Sequence, residues 1–345
     1  MKVAEAHRKG VLLINLGTPK KPTIKEIRKY LKLLLSDPRI MDIPGILRWI
    51  ILNLMILPFR PQKILHKYQS IWSEDGFPLL KHSRELIKKV SHQLPENYSV
   101  ELAMRYGEPA IDKSLDRFEK LNLNELILIP LFPQYSSATT GSVIEFIFKK
   151  ISSWQTIPNI RCTTSFYDQP EFINAWVQQA KPLFNEKPDH IMFSFHGLPE
   201  QQIIKSDTQN HCLQSGDCCN EISSRNLNCY RAQCFETAKK ISQGLGVETS
   251  KTSVCFQSRL GRAQWIQPST HDEIKELAGQ GVSRILVFCP SFVADCLETL
   301  DEIQKEEADY FKTQGGEKLI LVPSLNSDQA WVDAVLSMIK GSVEY

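Results

Sequence analysis

DHIMFSFHGLP (189–199) reads as a buried strand cut short. Its run of apolar residues suits a strand covered on both faces, and Gly197 and Pro199 then turn the chain. His196 is left at the strand end instead of inside a sheet. The same grammar recurs along the chain. Strands are expected at 10–16, 99–104, 125–131, 159–165, 189–195, 252–257, 284–289 and 318–322. Helical patterns fall between them, at 24–35, 79–93, 110–121, 142–152, 170–185, 231–244, 271–280 and 294–313, with a last helix at about 327–340. Strand–helix alternation predicts an α/β fold with parallel sheets. Eight strands divide four and four, with a boundary near 165–170. No sequence repeat or low-complexity tract stands out. In open parallel sheets ligands bind beyond the carboxyl ends of the strands. That rule points to His196, to PQYSSATTGS (133–142) and to the segment after 284–289.

The net charge of +2 and the absence of a long basic run suggest no nucleic-acid partner. The N-terminal apolar run is short and strand-like, so no secretion signal is expected and a cytoplasmic location is. GILRWIILNLMILPF (45–59) is apolar almost all round, broken by Arg48 and Asn53, yet too short to span a bilayer. It reads either as a buried helix or as an apolar surface for a membrane or greasy substrate.

Several residues could carry chemistry. His196 can exchange protons near neutral pH or bind a metal; filling a turn is the plainer reading of it alone. Glu298, Glu302 and Glu306 recur at i, i+4 and i+8, so their carboxylates share one face of a helix. A solvated face accounts for them, as does a row passing cations or protons inward. Arg105 and Tyr106 end the strand at 99–104, while Arg60, Lys63 and Tyr68 follow the apolar segment. Such cations beside apolar walls suit a flat apolar ligand with carboxylate tails. Trp265 could line the same cavity.

Five of the nine cysteines lie in HCLQSGDCCNEISSRNLNCYRAQC (211–234). Cys212, Cys218, Cys219 and Cys229 satisfy the ligand count of a [2Fe–2S] cluster. Their spacing is not the paired pattern of zinc ribbons, and a Cys218–Cys219 disulfide would be strained. A reduced compartment favours metal over disulfides. Iron–sulfur cluster, zinc and unbound thiols stay open on the residues alone.

LLINLGTP (12–19), MRYGEPAI (104–111), PQYSSATTGS (133–142), SFHGLP (194–199), FQSRLGRAQWIQPST (256–270) and DCLETLDEI (295–303) occur in order over nearly the whole chain. In these motifs the chain resembles the ferrochelatase family, which inserts ferrous iron into protoporphyrin IX in the last step of haem synthesis. The resemblance implies the chelatase fold: two Rossmann-like domains, each a four-stranded parallel sheet flanked by helices, with porphyrin between them. It places the N-terminal domain at 1–168, the C-terminal domain at 169–325 with a cysteine-rich insert at 211–229, and a helix in 326–345 packing back on the body. His196 and Glu298 become the catalytic pair and the residues that meet the substrate Fe²⁺, with Glu302 and Glu306 as an acidic route. His196 as proton acceptor and as iron ligand both stay open. Arg105 and Tyr106 match a cavity wall, Tyr135 and Trp265 match its lining, and Arg60, Lys63 and Tyr68 match its mouth, all expected to meet porphyrin. The 45–59 segment matches a lip that touches membrane, implying a cytoplasmic enzyme held peripherally at a bilayer. The oxidase preceding it in the haem pathway is a further implied partner.

Some family members resemble this chain in an internal four-cysteine segment holding a [2Fe–2S] cluster, which makes Cys212, Cys218, Cys219 and Cys229 its ligands here. Cys234 belongs instead to the helix start YRAQC (230–234). Cys296 stands where many members have His, Leu16 where some have Met, and Phe77 where a smaller residue is common. Alternatives are a chelatase for coproporphyrin III or cobalt and, in another class, a non-catalytic tetrapyrrole or metal carrier.

Overall fold

In the computed structural model residues 7–259, 261 and 263–341 are described. All eight expected strands form: β1 (Lys9–Asn15), β2 (Tyr98–Met104), β3 (Glu125–Pro130), β4 (Asn159–Cys162), β5 (His190–His196), β6 (Thr252–Gln257), β7 (Arg284–Phe288) and β8 (Lys318–Leu321). They make two four-stranded sheets, ordered β2-β1-β3-β4 and β6-β5-β7-β8. Every pairing is parallel. The fold class read from the sequence is therefore present in both halves.

By contacts the described chain divides into two units, 7–132 with 136–164 and 335–341, and 133–135 with 165–334. In the first, β1 is central and wholly buried from Val11 to Asn15. Helices cover its sheet with Leu115, Phe118, Val143 and Ile147, and Trp154 joins them from the loop that follows. In the second, β5 is buried from His190 to Phe195. Ile274, Ile303 and Phe311 pack on Met192, Ile285 and Val287, and Phe166, Phe172 and Trp331 form a separate aromatic cluster. Burying side chains this size stabilises each unit by about 1.5–3 kcal/mol per residue before entropy is counted.

Three departures from regular periodicity matter. The strand expected at 159–165 stops at Cys162, because it is an edge strand paired only to β3. The apolar 45–59 stretch is helical but contains a π-helix, Ile51–Ile56. A π-helix also follows the third strand of each unit, Ser137–Gly141 after β3 and Glu298–Glu307 after β7. Such i→i+5 segments often mark functional sites. The last helix, Gln329–Lys340, ends with the Arg161 guanidinium donating to the carbonyls of Met338 and Ile339. A cation there complements the helix dipole.

Candidate active site

His196 is the last residue of β5 and is half-buried. Its Nδ1 lies 2.6 Å from the Gly197 carbonyl oxygen. A carbonyl can only accept, so Nδ1 carries a proton, and in the neutral ring the lone pair is then on Nε2. The chain must have glycine next: a Cβ on Gly197 would sit 2.8 Å from the Gln257 carbonyl and 3.1 Å from the Trp265 ring. Trp265 and Phe292 flank the imidazole at 6.5 and 6.1 Å between ring centroids. The Tyr230 hydroxyl donates to the His196 carbonyl at 2.7 Å and touches Ser291 Oγ at 3.1 Å. Tyr230 opens the helix Tyr230–Leu245, so that helix grips the strand end.

The acidic row belongs to the Glu298–Glu307 π-helix. The buried Gln257 accepts from Ser194 Oγ through Oε1 and donates through Nε2 to the Glu298 carbonyl at 3.0 Å, tying the end of β6 to the helix start. Both Glu302 oxygens are held, one by the Ser258 amide at 2.7 Å and one by the Ser258 hydroxyl at 2.6 Å. Ser258 has φ +68°, a left-handed backbone that non-glycine residues adopt at a cost. Burial pushes the Glu302 carboxyl above the usual range. The Ser258 bonds and His196 oppose this, and the Glu298 charge adds to it. Burial raises Glu307 as well, against its contact with His271 Nδ1 at 3.3 Å. Glu306 is exposed while Glu307 is half-buried. Burial raises the Cys296 thiol, and the Glu298 charge adds to it.

Sequence patterns gave no hint of the groups that hold this row. Asp295 is buried and takes Asn326 Nδ2 at 2.8 Å on one oxygen and the Ser324 amide at 3.1 Å on the other. Asn326 Oδ1 accepts the Asp295 amide at 2.9 Å. The loop after β8 is thereby fastened to the start of the π-helix. Only spatial pairing reveals it, because the partners lie about thirty residues apart.

In the first unit, Arg105 and Tyr106 meet at a carboxylate that periodicity did not single out. Asp37 Oδ2 accepts from Arg105 Nη2 at 2.8 Å, Tyr106 Oη at 2.7 Å and Ser142 Oγ at 2.6 Å. Its Oδ1 takes the Arg39 amide at 2.8 Å. Burial alone would push Asp37 up; these donors and the Arg105 charge instead hold it below the usual range. Burial raises the Tyr106 phenol. The Arg105 guanidinium lies 4.7 Å from the Tyr106 ring centroid and 4.6 Å from that of Phe146.

The other expected contacts are dispersed. Tyr135, in the second unit, is half-buried, and its amide donates to Gln233 Oε1 at 2.7 Å. Tyr68 is buried edge-on against Phe77 at 5.6 Å. Arg60 and Lys63 are exposed on the helix Leu57–Lys63.

Cys212, Cys218, Cys219 and Cys229 are all buried. The Cys218 and Cys219 sulfurs are 3.6 Å apart. Among the described residues no three or more His, Cys, Asp or Glu are gathered round the position of a metal ion. Burial raises the Cys212 and Cys218 thiols. The loop is internally braced. Asp207 Oδ2 takes the amides of His211 and Cys212, and the buried Asn226 amide donates to the carbonyls of Cys218 and Glu221. The Leu213 amide points at Cys218 Sγ, 3.4 Å away.

The fold resembles solved chelatases. SirB from Bacillus subtilis with Fe³⁺ superposes with a TM-score of 0.56 at 11% identity, covering 97% of this chain and 95% of that one. The sirohydrochlorin chelatase SirB from Bacillus subtilis subspecies spizizenii with cobalt gives 0.52 at 10% identity, with the same coverage. These likenesses show the fold alone. In sequence, the chain is 43% identical over 343 residues to a ferrochelatase of Coxiella burnetii, spanning 99% of this chain and 96% of that one. It is 41% identical over 336 residues to a ferrochelatase of Legionella pneumophila, spanning 97% of this chain and all of that one. The ferrochelatase family model matches residues 8–343. With both sheets, the strand-end histidine and the acidic π-helix in place, the chain belongs to the ferrochelatase family, enzymes that insert a metal ion into a porphyrin.

Proposed function

We propose that this chain inserts Fe²⁺ into protoporphyrin IX, releasing two protons and forming protohaem. One observation carries the reading: the Gly197 carbonyl takes the His196 Nδ1 proton's hydrogen bond, which turns Nε2 to the reaction, and the carboxyl of Glu302 nearby is raised by burial. Each pyrrole N–H must lose its proton as iron–nitrogen bonds form. His196 Nε2 accepts such a proton, and Glu298, Glu302 and Glu307 relay it outward. Burial favours the protonated form of Glu302 and Glu307, so each takes up a proton more readily than a solvated glutamate does. Binding the macrocycle falls to Trp265 and Tyr135 as walls, Arg105 and Tyr106 as an oriented polar pair, and Arg60, Lys63 and Tyr68 near the apolar segment. The experiment is anaerobic Fe²⁺ insertion with protoporphyrin IX and coproporphyrin III supplied together, comparing wild type with His196→Ala. Haem from protoporphyrin in the wild type and none in the variant is expected. A preference for coproporphyrin would overturn the substrate, and an active variant would overturn the histidine's role.

The four buried cysteines fit a [2Fe–2S] cluster. Metal–sulfur bonds of about 2.3 Å at a tetrahedral centre put two sulfurs about 3.7 Å apart, and Cys218 and Cys219 are 3.6 Å apart. A cluster shares four thiolates between two irons, and this loop supplies four buried cysteines. Bound there, it would cross-link the loop through Cys212, Cys218, Cys219 and Cys229. Insertion of ferrous iron changes no oxidation state, so electron transfer is not required of it. Visible absorbance, iron and acid-labile sulfide in Cys218→Ser test the assignment; an unchanged cluster would remove that ligand.

Peripheral membrane contact rests on the 45–59 segment. Ile46 is 81% exposed, and Trp49, Leu54, Met55 and Phe59 are each at least 60% exposed. Among the described residues no helix is long and apolar enough to cross a membrane. A cytoplasmic enzyme collecting an apolar porphyrin at a bilayer, in contact with the oxidase that makes it, fits this surface.

A further inference from the structure

Beside the exposed apolar residues lies a groove of about 590 Å³, lined by Lys25, Arg28, Lys29, Lys32, Asn53, Leu57 and Pro58. Its four cations come from one helix, Ile24–Ser36. They recur at i, i+3, i+4 and i+7, so they share a face, while Ile27, Tyr30, Leu31 and Leu35 bury the opposite one. Like charges so spaced repel, which costs stability unless an anion offsets it. Among the described residues none of the four has a carboxylate within salt-bridge distance. Glu108 feels Lys29, but its own partner is Lys113 at 2.9 Å. The Arg28 Nε bond to the Leu57 carbonyl, 3.1 Å, fixes one wall against the other.

From this we infer that the groove seats the phosphate headgroup of an anionic phospholipid, whose acyl chains lie along the neighbouring apolar surface. The inference rests on the proposed membrane contact and adds the lipid charge that the contact selects. The apolar wall decides between lipid and free phosphate. A lone ion would use the cations only, whereas Leu57 and Pro58 continue directly into the exposed Leu54, Met55 and Phe59. Basic residues flanking an interfacial apolar helix are drawn to anionic leaflets, each cation strengthening binding about fivefold.

The test uses the full chain with vesicles of phosphatidylcholine alone, or of phosphatidylcholine with phosphatidylglycerol. The wild type is compared with the triple variant Lys25→Ala, Lys29→Ala, Lys32→Ala, and with Trp49→Ser, Phe59→Ser. Arg28 is kept because it joins the two helices. The triple variant is expected to lose on the order of 100-fold in partitioning onto anionic vesicles, with no change on neutral ones and unchanged iron insertion into detergent-dispersed porphyrin. The apolar variant is expected to weaken on both. Equal binding of wild type and triple variant to anionic vesicles overturns the headgroup site. So does displacement of the wild type by inorganic phosphate when chloride of equal ionic strength does not displace it. Wild type that binds neutral vesicles but ignores phosphatidylglycerol leaves the membrane contact standing and the headgroup site refuted. Wild type that binds neither vesicle refutes both.

Discussion

The two units repeat one plan with different chemistry. In sheet order β1 and β5 hold the same place, as do β2 and β6, β3 and β7, and β4 and β8. After the first strand of each comes a glycine turn, LGTP (16–19) in one and HGLP (196–199) in the other. Leu16 thus stands where the second unit has His196. Each third strand leads to a π-helix. Yet the buried carboxylates are treated oppositely. Asp37 meets three side-chain donors on one oxygen and an amide on the other, which locks it ionised. Glu302 has one serine, a left-handed backbone and another carboxylate for company, and its affinity for a proton rises. Saturating a carboxylate makes a brace; leaving it short of donors makes a proton carrier.

The harshest way to break the comparison is to make the second unit like the first. His196→Leu is expected to lower iron insertion by 10²–10⁴-fold, the usual worth of a general base. Porphyrin binding, followed by fluorescence quenching, should change little. Retained turnover would show that proton removal does not pass through the imidazole.

Asp37→Ala attacks the brace. Removing one partner of a buried ion pair costs about 3–5 kcal/mol, read as a lower denaturant midpoint at unchanged slope. The sign with pH follows from the lowered folded value. The stabilisation from Asp37 is fully present above the ordinary carboxylate value of about 3.9 and is lost as pH falls through the lower, folded one. The variant should lack that acid-side decline. A midpoint within experimental scatter of wild type would mean the four donors do not hold the carboxylate in solution.

Glu302→Gln sharpens the contrast, because its two effects oppose each other. The folded carboxyl titrates above its unfolded value, so its contribution is most favourable below the unfolded value and fades as pH rises through the folded one. The amide removes that penalty. Stability at mildly alkaline pH should rise by about 1 kcal/mol, the scale of one buried hydrogen-bonded group. Turnover should fall by about 10²-fold, the lower end for lost acid–base function. Loss of both stability and activity would mark Glu302 as structural.

The smallest expected effect is that of Ser258→Gly. Relief of the left-handed backbone, about 1 kcal/mol, and loss of the hydroxyl bond, about 1 kcal/mol, nearly cancel in stability. Glu302 loses a donor that stabilises its charge, so the acid limb of the pH–rate profile should move up. An unmoved profile would show that the serine does not tune the row.

How much of this could be read beforehand varies with distance along the chain. Strand ends, glycine turns and the cysteine count are local, and they were legible. His196 was placed by Gly197 and Pro199 alone. The π-helix was not legible, because i+4 spacing of acids suits an α-helix, and the half-buried place of Glu307 beside the exposed Glu306 carried no sequence signal. Asp37 announced only a turn, in SDPR (36–39); its donors Arg105, Tyr106 and Ser142 lie far along the sequence. Asp295 with Asn326 was missed for the same reason. The roles assigned to Arg105 and Tyr106 came with the family resemblance, and the carboxylate that orients them emerged only in three dimensions.

The Tyr230 hydroxyl has a mechanical consequence. Cys229 is the N-cap of the helix whose first residue is Tyr230, and Tyr230 holds the His196 carbonyl. The cysteine loop and the histidine are therefore one residue and one hydrogen bond apart. A displacement of Cys229 reaches the end of β5 as on a short crank, without first deforming the sheet.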